Sequence, residues 1–266
     1  MVVKYIRAAS LDEAGRVLAS DKRARILAGG TQLLTSEFRD REFVAVDVGS
    51  LLPRGLERTT EGLTRIGAGA LFQDLAESPV LPGILREAAL GMANRNVRNA
   101  ATVGGNLGAA RSCSSLIPAF LVLDARVRIH GTPEPRPLAD WLAEPAGIVT
   151  WVEIPAAPGL RAAYDRWSRT ACDISVLTCA AAYRLQDGSL RDLRIACGGL
   201  DARSRRFPEL ERLFEGRPLP GRDEAAAAVA PLLRPIDDLR GSAAFKRLRA
   251  SELIAAALLA AREDPL

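Results

Sequence analysis

The first fifty residues show short apolar runs that alternate with amphipathic, helix-like stretches. The apolar runs predict three strands, at residues 2–6, 25–28 and 43–47. Ser10 stands three residues before Glu13, which is the pattern of a capping box and predicts a helix between the first two strands. Thr31 is placed to cap a second helix, over residues 32–38. The resulting β-α-β-α-β order predicts a small α/β unit over residues 1–55.

Residues 56–157 combine strand and helix patterns in a less regular order. Strands are predicted at residues 63–66, 125–129 and 148–154, and helices at residues 72–77, 82–93 and 115–123. A segment rich in Pro and Gly, residues 155–159, marks the end of these elements. We therefore expect a second unit over residues 56–157.

After this boundary the pattern becomes that of a sheet followed by helices. Residues 164–168 are strand-like, and two further strands flank Asp187-Gly188, a dipeptide typical of hairpin turns. From Phe207 onwards the sequence predicts three helices. The third unit, residues 158–266, is therefore expected to be an α+β domain, and the chain as a whole is assigned to the α+β class.

Composition places the chain among ordinary globular proteins and excludes several functions. Hydrophobic residues make up 48% and charged residues 26% of the 266 residues, which excludes a disordered or collagen-like chain. The net charge of +4 is spread along the chain and aromatic residues are only 5%, so a nucleic-acid partner is disfavoured. No stretch reaches the roughly 18 apolar residues of a membrane span, and the N-terminus lacks the apolar run of a signal peptide. We therefore expect a cytoplasmic protein with no nucleic-acid partner and no membrane span.

Residues that carry acid–base or metal chemistry are scarce. His130 is the only histidine, and it follows a strand-like run in a position typical of a solvent-facing residue. The four cysteines are widely spaced and include no C-x-x-C pair, whereas zinc and iron–sulfur sites need several converging ligands. We interpret the cysteines as reduced core residues. The sequence therefore predicts neither a catalytic residue nor a metal site within this chain.

Two glycine pairs carry the functional signal. Gly29-Gly30 follows a predicted strand and precedes a predicted helix, and Gly104-Gly105 follows a β-branched run. Glycine lets the backbone turn sharply and approach a ligand closely, and free amide groups at such a turn suit a diphosphate. Two such loops could hold one extended dinucleotide from both sides. A third segment, residues 67–72, lacks the last glycine of a dinucleotide fingerprint and is interpreted as a turn.

Several segments resemble one known family over essentially the whole chain. They are ILAGGTQLL, LTRIGAGALFQDLAESPVL, NVRNAATVGGNLGAA, IPAFLVLDARVRI, WSRTACDISVLTCAAAYRL, CGGL and DLRGSAAFKRL. In this order they are similar to the FAD-binding medium subunit of the molybdenum hydroxylases, of the xanthine dehydrogenase and carbon monoxide dehydrogenase type. The paired glycine motifs at this separation, with Arg98-Asn99 just before the second, are quite specific.

The resemblance implies a fold and a set of FAD-binding residues. The expected fold is a bipartite FAD-binding domain of the vanillyl-alcohol oxidase (PCMH) type, followed by a C-terminal domain with a three-stranded antiparallel sheet and helices. By position in the two family loops, the FAD-binding residues are Ala28, Gly29, Gly30, Thr31, Gln32, Leu33, Thr102, Val103, Gly104, Gly105 and Asn106.

The resemblance further implies an oxidoreductase subunit of a heteromeric complex. Electrons would come from the [2Fe-2S] clusters of a small subunit, which receive them from a molybdopterin-binding large subunit where the organic substrate is hydroxylated. FAD would pass them to NAD or another acceptor. Because the flavin carries the redox chemistry, the scarcity of catalytic side chains is expected.

Four positions depart from the family pattern. Ser115 stands where the family has an aspartate that bonds FAD, and a hydroxyl bonds a ribose more weakly than a carboxylate does. Gln32 replaces an acidic or small polar residue, and Val176 replaces a flavin-contacting lysine of some members. Arg111 is either an additional partner for phosphate or a solvated loop residue, with a slight preference for the second reading.

Two alternatives to the electron-transfer subunit stay open. One is a structural assembly subunit of such a complex that has lost tight flavin binding, as the replacement of the family aspartate by Ser115 suggests. The other is a self-sufficient flavin oxidase, which would reduce its flavin with an organic substrate in the absence of any partner.

Overall fold

The strands of the protein form three sheets, and each sheet is built from strands that are consecutive in the chain. The computed structural model describes residues 1–263, apart from the side chain of Ser36. None of the helices within this range is long and apolar enough to cross a membrane.

The first sheet is parallel, with three strands in the order β1-β3-β2. The elements of this part are β1 (Val2–Arg7), α1 (Leu11–Ser20), β2 (Ala24–Leu27) and β3 (Phe43–Asp47). The predicted capping box forms in a variant arrangement: Ser10 Oγ accepts a hydrogen bond from the Glu13 amide at 3.1 Å, whereas the Glu13 side chain bonds the amide of the residue before Ser10 and not that of Ser10 itself. Glu13 Oε2 in turn accepts one from the Ala9 amide at 2.7 Å. The α/β order predicted for the first fifty residues is thus correct in its strands and its first helix.

The helix predicted over residues 32–38 is wrong. The chain makes consecutive turns there and ends in a single 3₁₀ turn, Ser36–Phe38, so Thr31 caps no helix. Thr35 gives the physical reason, since its hydroxyl and its amide both donate to the Gln32 carbonyl, at 2.8 and 3.2 Å. A threonine that bonds the backbone locally competes with the helical hydrogen-bond pattern.

The second sheet is antiparallel throughout, with five strands in the order β4-β5-β8-β6-β7. Its strands are β4 (Leu56–Arg58), β5 (Thr64–Gly67), β6 (Arg126–Ile129), β7 (Arg136–Pro137) and β8 (Val149–Ile154). The helices of this part are α2 (Phe72–Glu77), α3 (Gly83–Leu90), α4 (Arg95–Arg98), α5 (Val103–Ala109), α6 (Leu116–Val122) and α7 (Leu138–Ala143).

Three of these helices differ from the sequence predictions. The second glycine pair lies within α5 and not in a loop, and Thr102 is the N-cap of that helix. Glycine is a poor helix former, so the residues of α5 carry no helical signal of their own. The short helices α4 and α7 are absent from the sequence predictions, because neither has an amphipathic pattern long enough to detect.

The third sheet has four antiparallel strands, in the order β12-β11-β10-β9, where three were expected. Its strands are β9 (Arg161–Trp167), β10 (Leu177–Gln186), β11 (Ser189–Gly198) and β12 (Arg205–Arg206). The additional strand, β12, consists of two arginines that pair with Ala196 and Cys197. Such a short charged strand has no apolar alternation, so the sequence pattern could not reveal it.

The three helices predicted after Phe207 are present, as α8 (Pro208–Phe214), α9 (Arg222–Val229) and α10 (Ala243–Ala260). Two hydrophobic clusters fill the interior, one belonging mainly to the first two sheets and one between the third sheet and these helices. Helix α6 joins them, because all seven of its residues are buried and it packs against β10 and β11. Because α6 lies between the two clusters, the residues that precede it are also fixed in position.

Candidate functional site

The first glycine loop presents a row of unused backbone donors. The amides from Gly29 to Leu33 donate no hydrogen bond to any residue that the structure describes. All five residues are half-buried, so these amides face neither a protein acceptor nor fully open solvent. A cluster of unpaired amides at a glycine turn is the arrangement that proteins use to bind phosphate oxygens.

Close packing requires glycine at the start of this loop. A β-carbon at Gly29 would lie 1.9 Å from the Ala100 carbonyl oxygen and 3.3 Å from the Ala101 Cα. Gly30 has a φ of +70°, in the left-handed region that other residues rarely adopt. Because residues 100 and 101 lead directly into the second glycine segment, the fold brings the two predicted segments into contact.

The second segment uses its amides internally. The amides of Val103 and Gly104 donate to the carbonyls of Ala70 and Ala68, at 3.0 and 2.8 Å. These two acceptors lie in the segment interpreted as a turn, which the structure confirms. The segment therefore anchors α5 against the second sheet and does not expose a row of free donors.

Thr102 accepts hydrogen bonds from the next two amides of α5. Its Oγ1 accepts a hydrogen bond from Gly105 at 3.0 Å, and its carbonyl accepts one from Asn106 at 3.0 Å. What α5 leaves open is a smooth surface formed by Gly105 and Gly108, both exposed. No atom lies within 4 Å of a β-carbon built at Gly108. This glycine surface allows a ligand to approach the helix backbone closely.

The segment between α5 and α6 forms a wall that is bonded to the third sheet. The Ser112 carbonyl accepts hydrogen bonds from the Gly199 amide at 2.8 Å and from Ser204 Oγ at 2.9 Å. Thr178 Oγ1 donates to the Ser114 carbonyl at 3.1 Å. These bonds join the N-terminal half of the molecule to three places in its C-terminal half: β10, the turn after β11 and the residue before β12.

Ser114 and Ser115 have different surroundings in this wall. The Ser114 hydroxyl donates to Asn106 Oδ1 at 2.6 Å, which ties the wall to α5. Ser115 is buried at the start of α6 and its side chain makes no capping hydrogen bond. Beside it, the hydroxyl of Tyr164 is buried and has no hydrogen-bond partner among the described residues. Burial raises the pKa of Tyr164 well above its usual range, against the opposing effect of the Arg166 charge, so this phenol stays neutral.

Arg111 connects the wall to the first loop. Its Nη1 lies 2.5 Å from Glu37 Oε1, and the side-chain Nε2 of Gln32 donates to Glu37 Oε2 at 3.0 Å. The hydrogen bond from Arg111 lowers the pKa of Glu37, which keeps this carboxylate charged at neutral pH. Arg111 is thus engaged by a carboxylate and is not a simple solvated residue, and no local sequence pattern indicated this partner.

The predicted residues fall into two groups. The first loop, Asn106 and the surface of Gly105 lie around one region, because the first loop touches the residues before α5. Gly104 instead packs against Ala68, where a β-carbon would lie 2.9 Å from the Ala68 Cβ. The side chain of Val103 is fully buried in the core, and that of Thr102 is used as a cap. Sequence reasoning missed Glu37 and Ser114, which act through contacts with residues distant in the chain.

The remaining features of the surface lie away from this region. A cavity of about 440 Å³ is formed by the end of α6, the start of β6 and Arg206, and it contains none of the predicted residues. Within residues 1–263, no three His, Cys, Asp or Glu side chains come together as a group that could hold a metal ion.

Two family models match the chain. The FAD binding domain in molybdopterin dehydrogenase matches residues 1–157, and the CO dehydrogenase flavoprotein C-terminal domain matches residues 162–261. The expected family resemblance, FAD as the family's cofactor and the oxidoreductase class are confirmed by these matches and by the relatives described next.

Related sequences cover most of the chain. The uncharacterized protein YgfM of Escherichia coli (strain K12) is 30% identical over 257 residues, which are 96% of this chain and 95% of that protein. A xanthine dehydrogenase FAD-binding subunit of Escherichia coli O157:H7 is 32% identical over 235 residues, or 81% of this chain and 80% of that protein. The nicotine 6-hydroxylase medium subunit of Paenarthrobacter nicotinovorans is 29% identical and covers 95% of this chain and 94% of that protein.

Solved structures share the fold over its full length. A chain of carbon monoxide dehydrogenase from Hydrogenophaga pseudoflava superimposes with a TM-score of 0.88 at 24% identity, covering 99% of this chain and 98% of that chain. A chain of quinoline 2-oxidoreductase from Pseudomonas putida 86 superimposes with a TM-score of 0.83 at 26% identity, covering 98% and 97%. The protein therefore belongs to the family of FAD-binding subunits of molybdopterin dehydrogenases, with the C-terminal domain typical of the CO dehydrogenase flavoprotein.

Proposed function

We propose that this chain binds FAD between its first glycine loop and α5, and serves as the electron-transfer medium subunit of a heteromeric molybdenum hydroxylase. The observation that carries the proposal is the row of unpaired amides from Gly29 to Leu33, next to an exposed glycine surface on α5. The donors suit the diphosphate and the glycine surface suits close packing of a flat or extended group. When bound, FAD supplies hydride and electron transfer, while the chain positions it.

The predicted FAD-binding residues take different parts in this proposal. The backbone from Ala28 to Leu33 holds the diphosphate through amide hydrogen bonds. Thr102 and Val103 build α5 through a cap and core packing, Gly104 packs closely against Ala68, and Gly105 and Asn106 present the surface of the helix. Ser115 lines the wall as a neutral hydroxyl, weaker towards a ribose than the carboxylate that the family has there.

The proposed partners are a molybdopterin-binding large subunit and a [2Fe-2S] small subunit. Support comes from relatives named as medium subunits or medium chains, such as that of nicotine 6-hydroxylase, with which this chain aligns over nearly its whole length. Co-purification of three chains with flavin, iron and molybdenum in the same fractions is the expected result. The recovery of this chain without any other subunit would contradict it.

We further propose NAD as the electron acceptor. In the purified complex, NADH added without oxygen should then bleach the flavin absorption band near 450 nm, because a reversible hydride transfer runs in both directions. A flavin that stays oxidised under NADH but is reduced by the organic substrate would assign the acceptor role to another compound.

A direct test of flavin binding uses Gly108→Glu. The new side chain points into open space, so folding is preserved, but it places a carboxylate and bulk on the proposed binding surface. FAD affinity measured by fluorescence quenching should fall at least about tenfold, a loss of roughly 1.4 kcal/mol. The matched control is Gly15→Glu in α1, where a β-carbon also meets no atom within 4 Å.

The same titration separates the proposal from its alternative. A structural assembly subunit would show no saturable FAD binding in the wild-type chain, and neither glutamate variant would then differ from it. The engagement of the α5 amides and the neutral Ser115 are the features that favour this alternative. Saturable binding in the wild type and in Gly15→Glu, together with its loss in Gly108→Glu, would exclude it.

A further inference from the structure

One carboxylate is shared between two segments of the proposed site. Glu37 Oε1 accepts a hydrogen bond from Arg111 at 2.5 Å, and Glu37 Oε2 accepts one from the Gln32 side chain at 3.0 Å. Arg111 and Glu37 are 74 residues apart in sequence. The pair is accessible, with 34% of the Arg111 side chain and 43% of the Glu37 side chain exposed. It is therefore an ion pair that solvent and ligands can reach.

The carboxylate stands beside donors that have no acceptor. Gln32 belongs to the loop whose amides, from Gly29 to Leu33, are unpaired. Glu37 bonds the side chain of Gln32 and leaves those backbone amides unused. The first loop thus carries unsatisfied amide donors, one negative charge on Glu37, and one arginine that this charge neutralises.

We propose that Arg111 is a ligand for the diphosphate of the bound dinucleotide, and that Glu37 holds its guanidinium in the ligand-free protein. This inference rests on the proposed function. When a diphosphate occupies the free amides, Arg111 exchanges the Glu37 carboxylate for a phosphate oxygen. Guanidinium groups suit this exchange, because their planar donors fit carboxylates and phosphates alike.

Glu37 is then a competitor of the ligand and not a support for it. Its charge repels a diphosphate and occupies Arg111, so its removal should favour binding. A purely structural ion pair predicts the opposite, because loss of either partner would loosen the loop and weaken binding to a similar extent. The two roles therefore predict opposite effects of Glu37→Gln on the affinity for the ligand.

The experiment compares Arg111→Met, Arg111→Lys and Glu37→Gln with the wild-type full chain after removal of bound flavin. FAD binding is measured by fluorescence quenching, and ADP binding by competition with FAD. Arg111→Met should weaken both ligands about tenfold, as expected for one lost charge-assisted hydrogen bond, and Arg111→Lys should recover part of that loss. Glu37→Gln should strengthen both ligands about threefold to tenfold.

Matched controls come from an ion pair of similar exposure on α10. Arg249→Met and Glu252→Gln remove a pair whose side chains are 42% and 41% exposed. Both should leave the FAD and ADP affinities at the wild-type values. Urea midpoints of all variants check that the chain stays folded.

The outcomes separate this inference from the function on which it rests. The exchange is supported if Arg111→Met weakens FAD and ADP binding, Glu37→Gln strengthens it, and both control variants bind as the wild type does. Equal losses in the two variants, or no change in either, would overturn it while leaving FAD binding by the wild type intact. An absence of saturable FAD binding in the wild type would overturn the proposed function itself, and the exchange with it.

Discussion

At the scale of single residues, Gly29 is the position where the fold leaves least room. Its backbone touches the Ala100 carbonyl, so the contact between the two proposed binding segments depends on the absence of a side chain. The sequence indicated a close backbone approach at this glycine, because Gly-Gly after a strand is typical of one. The structure shows such an approach to Ala100, and the contact of Gly29 with FAD stays a prediction. It could not identify Ala100 as the neighbour, since that contact spans some seventy residues and has no local pattern.

A substitution at this position tests the contact. Gly29→Ala should lower the free energy of unfolding by about 3 kcal/mol, because the added methyl group must displace backbone atoms. Gly15→Ala, in the interior of α1 with free space around it, should raise the free energy of unfolding by roughly 0.5–1 kcal/mol. Urea denaturation followed by circular dichroism measures both, and equal effects of the two substitutions would contradict the contact.

The cysteines allow a second prediction at this scale. Cys172 is exposed, whereas Cys113, Cys179 and Cys197 are buried. Hydrogen bonding with Cys197 and burial raise the pKa of Cys179, which disfavours the reactive thiolate at neutral pH. A thiol reagent should therefore titrate one group rapidly in the native protein at pH 8 and the other three only after unfolding. Cys172→Ser should abolish the rapid phase, and a persisting rapid phase would show that the buried thiols are accessible.

At the scale of elements, α10 begins next to a buried charge pair. Lys246 is fully buried, and its Nζ lies 2.8 Å from Asp238 Oδ2 and 3.1 Å from the Ile236 carbonyl. Partial burial would raise the pKa of Asp238, but hydrogen bonds from Lys246 and from the Arg240 amide outweigh it, and the pKa is lowered. The loop before α10 is thus fixed by one ammonium group that has no access to water.

Removal of this carboxylate should be costly. Asp238→Asn keeps the acceptor for the Arg240 amide but leaves the buried ammonium without a counter-charge, and we expect a loss of about 3 kcal/mol at pH 7. Lys246→Met replaces the buried charge by an apolar chain of similar size and should cost roughly 1 kcal/mol or less. The two values are obtained from urea midpoints, and a larger loss for Lys246→Met would contradict the argument.

The pH dependence of the same pair has a defined sign. Because the folded-state pKa of Asp238 lies below its unfolded value, its contribution is complete above about pH 4 and is lost as the pH falls through the folded value. The difference in stability between the wild type and Asp238→Asn should therefore shrink between pH 4 and pH 2. A difference that stays constant over this range would show that Asp238 does not act through its charge.

The elements also show where sequence patterns suffice. Strands β1 to β3, the capping box of α1 and the three C-terminal helices follow from apolar periodicity and local capping, which act over a few residues. Where the sequence predictions fail, the causes are also local. The Thr35 hydroxyl bonds the backbone and favours turns over the predicted helix. The glycines of α5 give no helical signal, although Thr102 and packing against the second sheet stabilise this helix.

At the scale of the whole molecule, Arg194 links the N-terminal and C-terminal halves. It is 9% exposed and donates to the Val122 carbonyl at 3.0 Å, and it also pairs with Asp124 at 2.9 Å and Asp192 at 2.8 Å. Val122 and Asp124 lie at the end of α6, while Arg194 and Asp192 lie in β11. This side chain therefore supplements the hydrophobic contact of α6 with the third sheet.

Its removal should loosen the two halves. Arg194→Met leaves a buried carbonyl unpaired and two carboxylates close together, for a loss of about 3 kcal/mol. The control is Arg184→Met, since Arg184 pairs with the same Asp192 from the surface, and a loss below about 1 kcal/mol is expected there. Thermal unfolding and limited proteolysis between residues 155 and 160 measure the effect. Equal losses of stability in Arg194→Met and Arg184→Met would show that Arg194 does not link the two halves.

Each of the three sheets is formed by consecutive strands of the chain, and this arrangement has a consequence for how the protein folds during its synthesis. Each sheet closes within its own stretch of the described chain, so a nascent polypeptide can form them one after another as it leaves the ribosome. The wall of the proposed site is different, since Ser112 and Ser114 depend on Thr178, Gly199 and Ser204. About two hundred residues must therefore be synthesised before the wall can acquire its bonds. A flavin that depends on this wall would enter late, after translation has passed the third sheet.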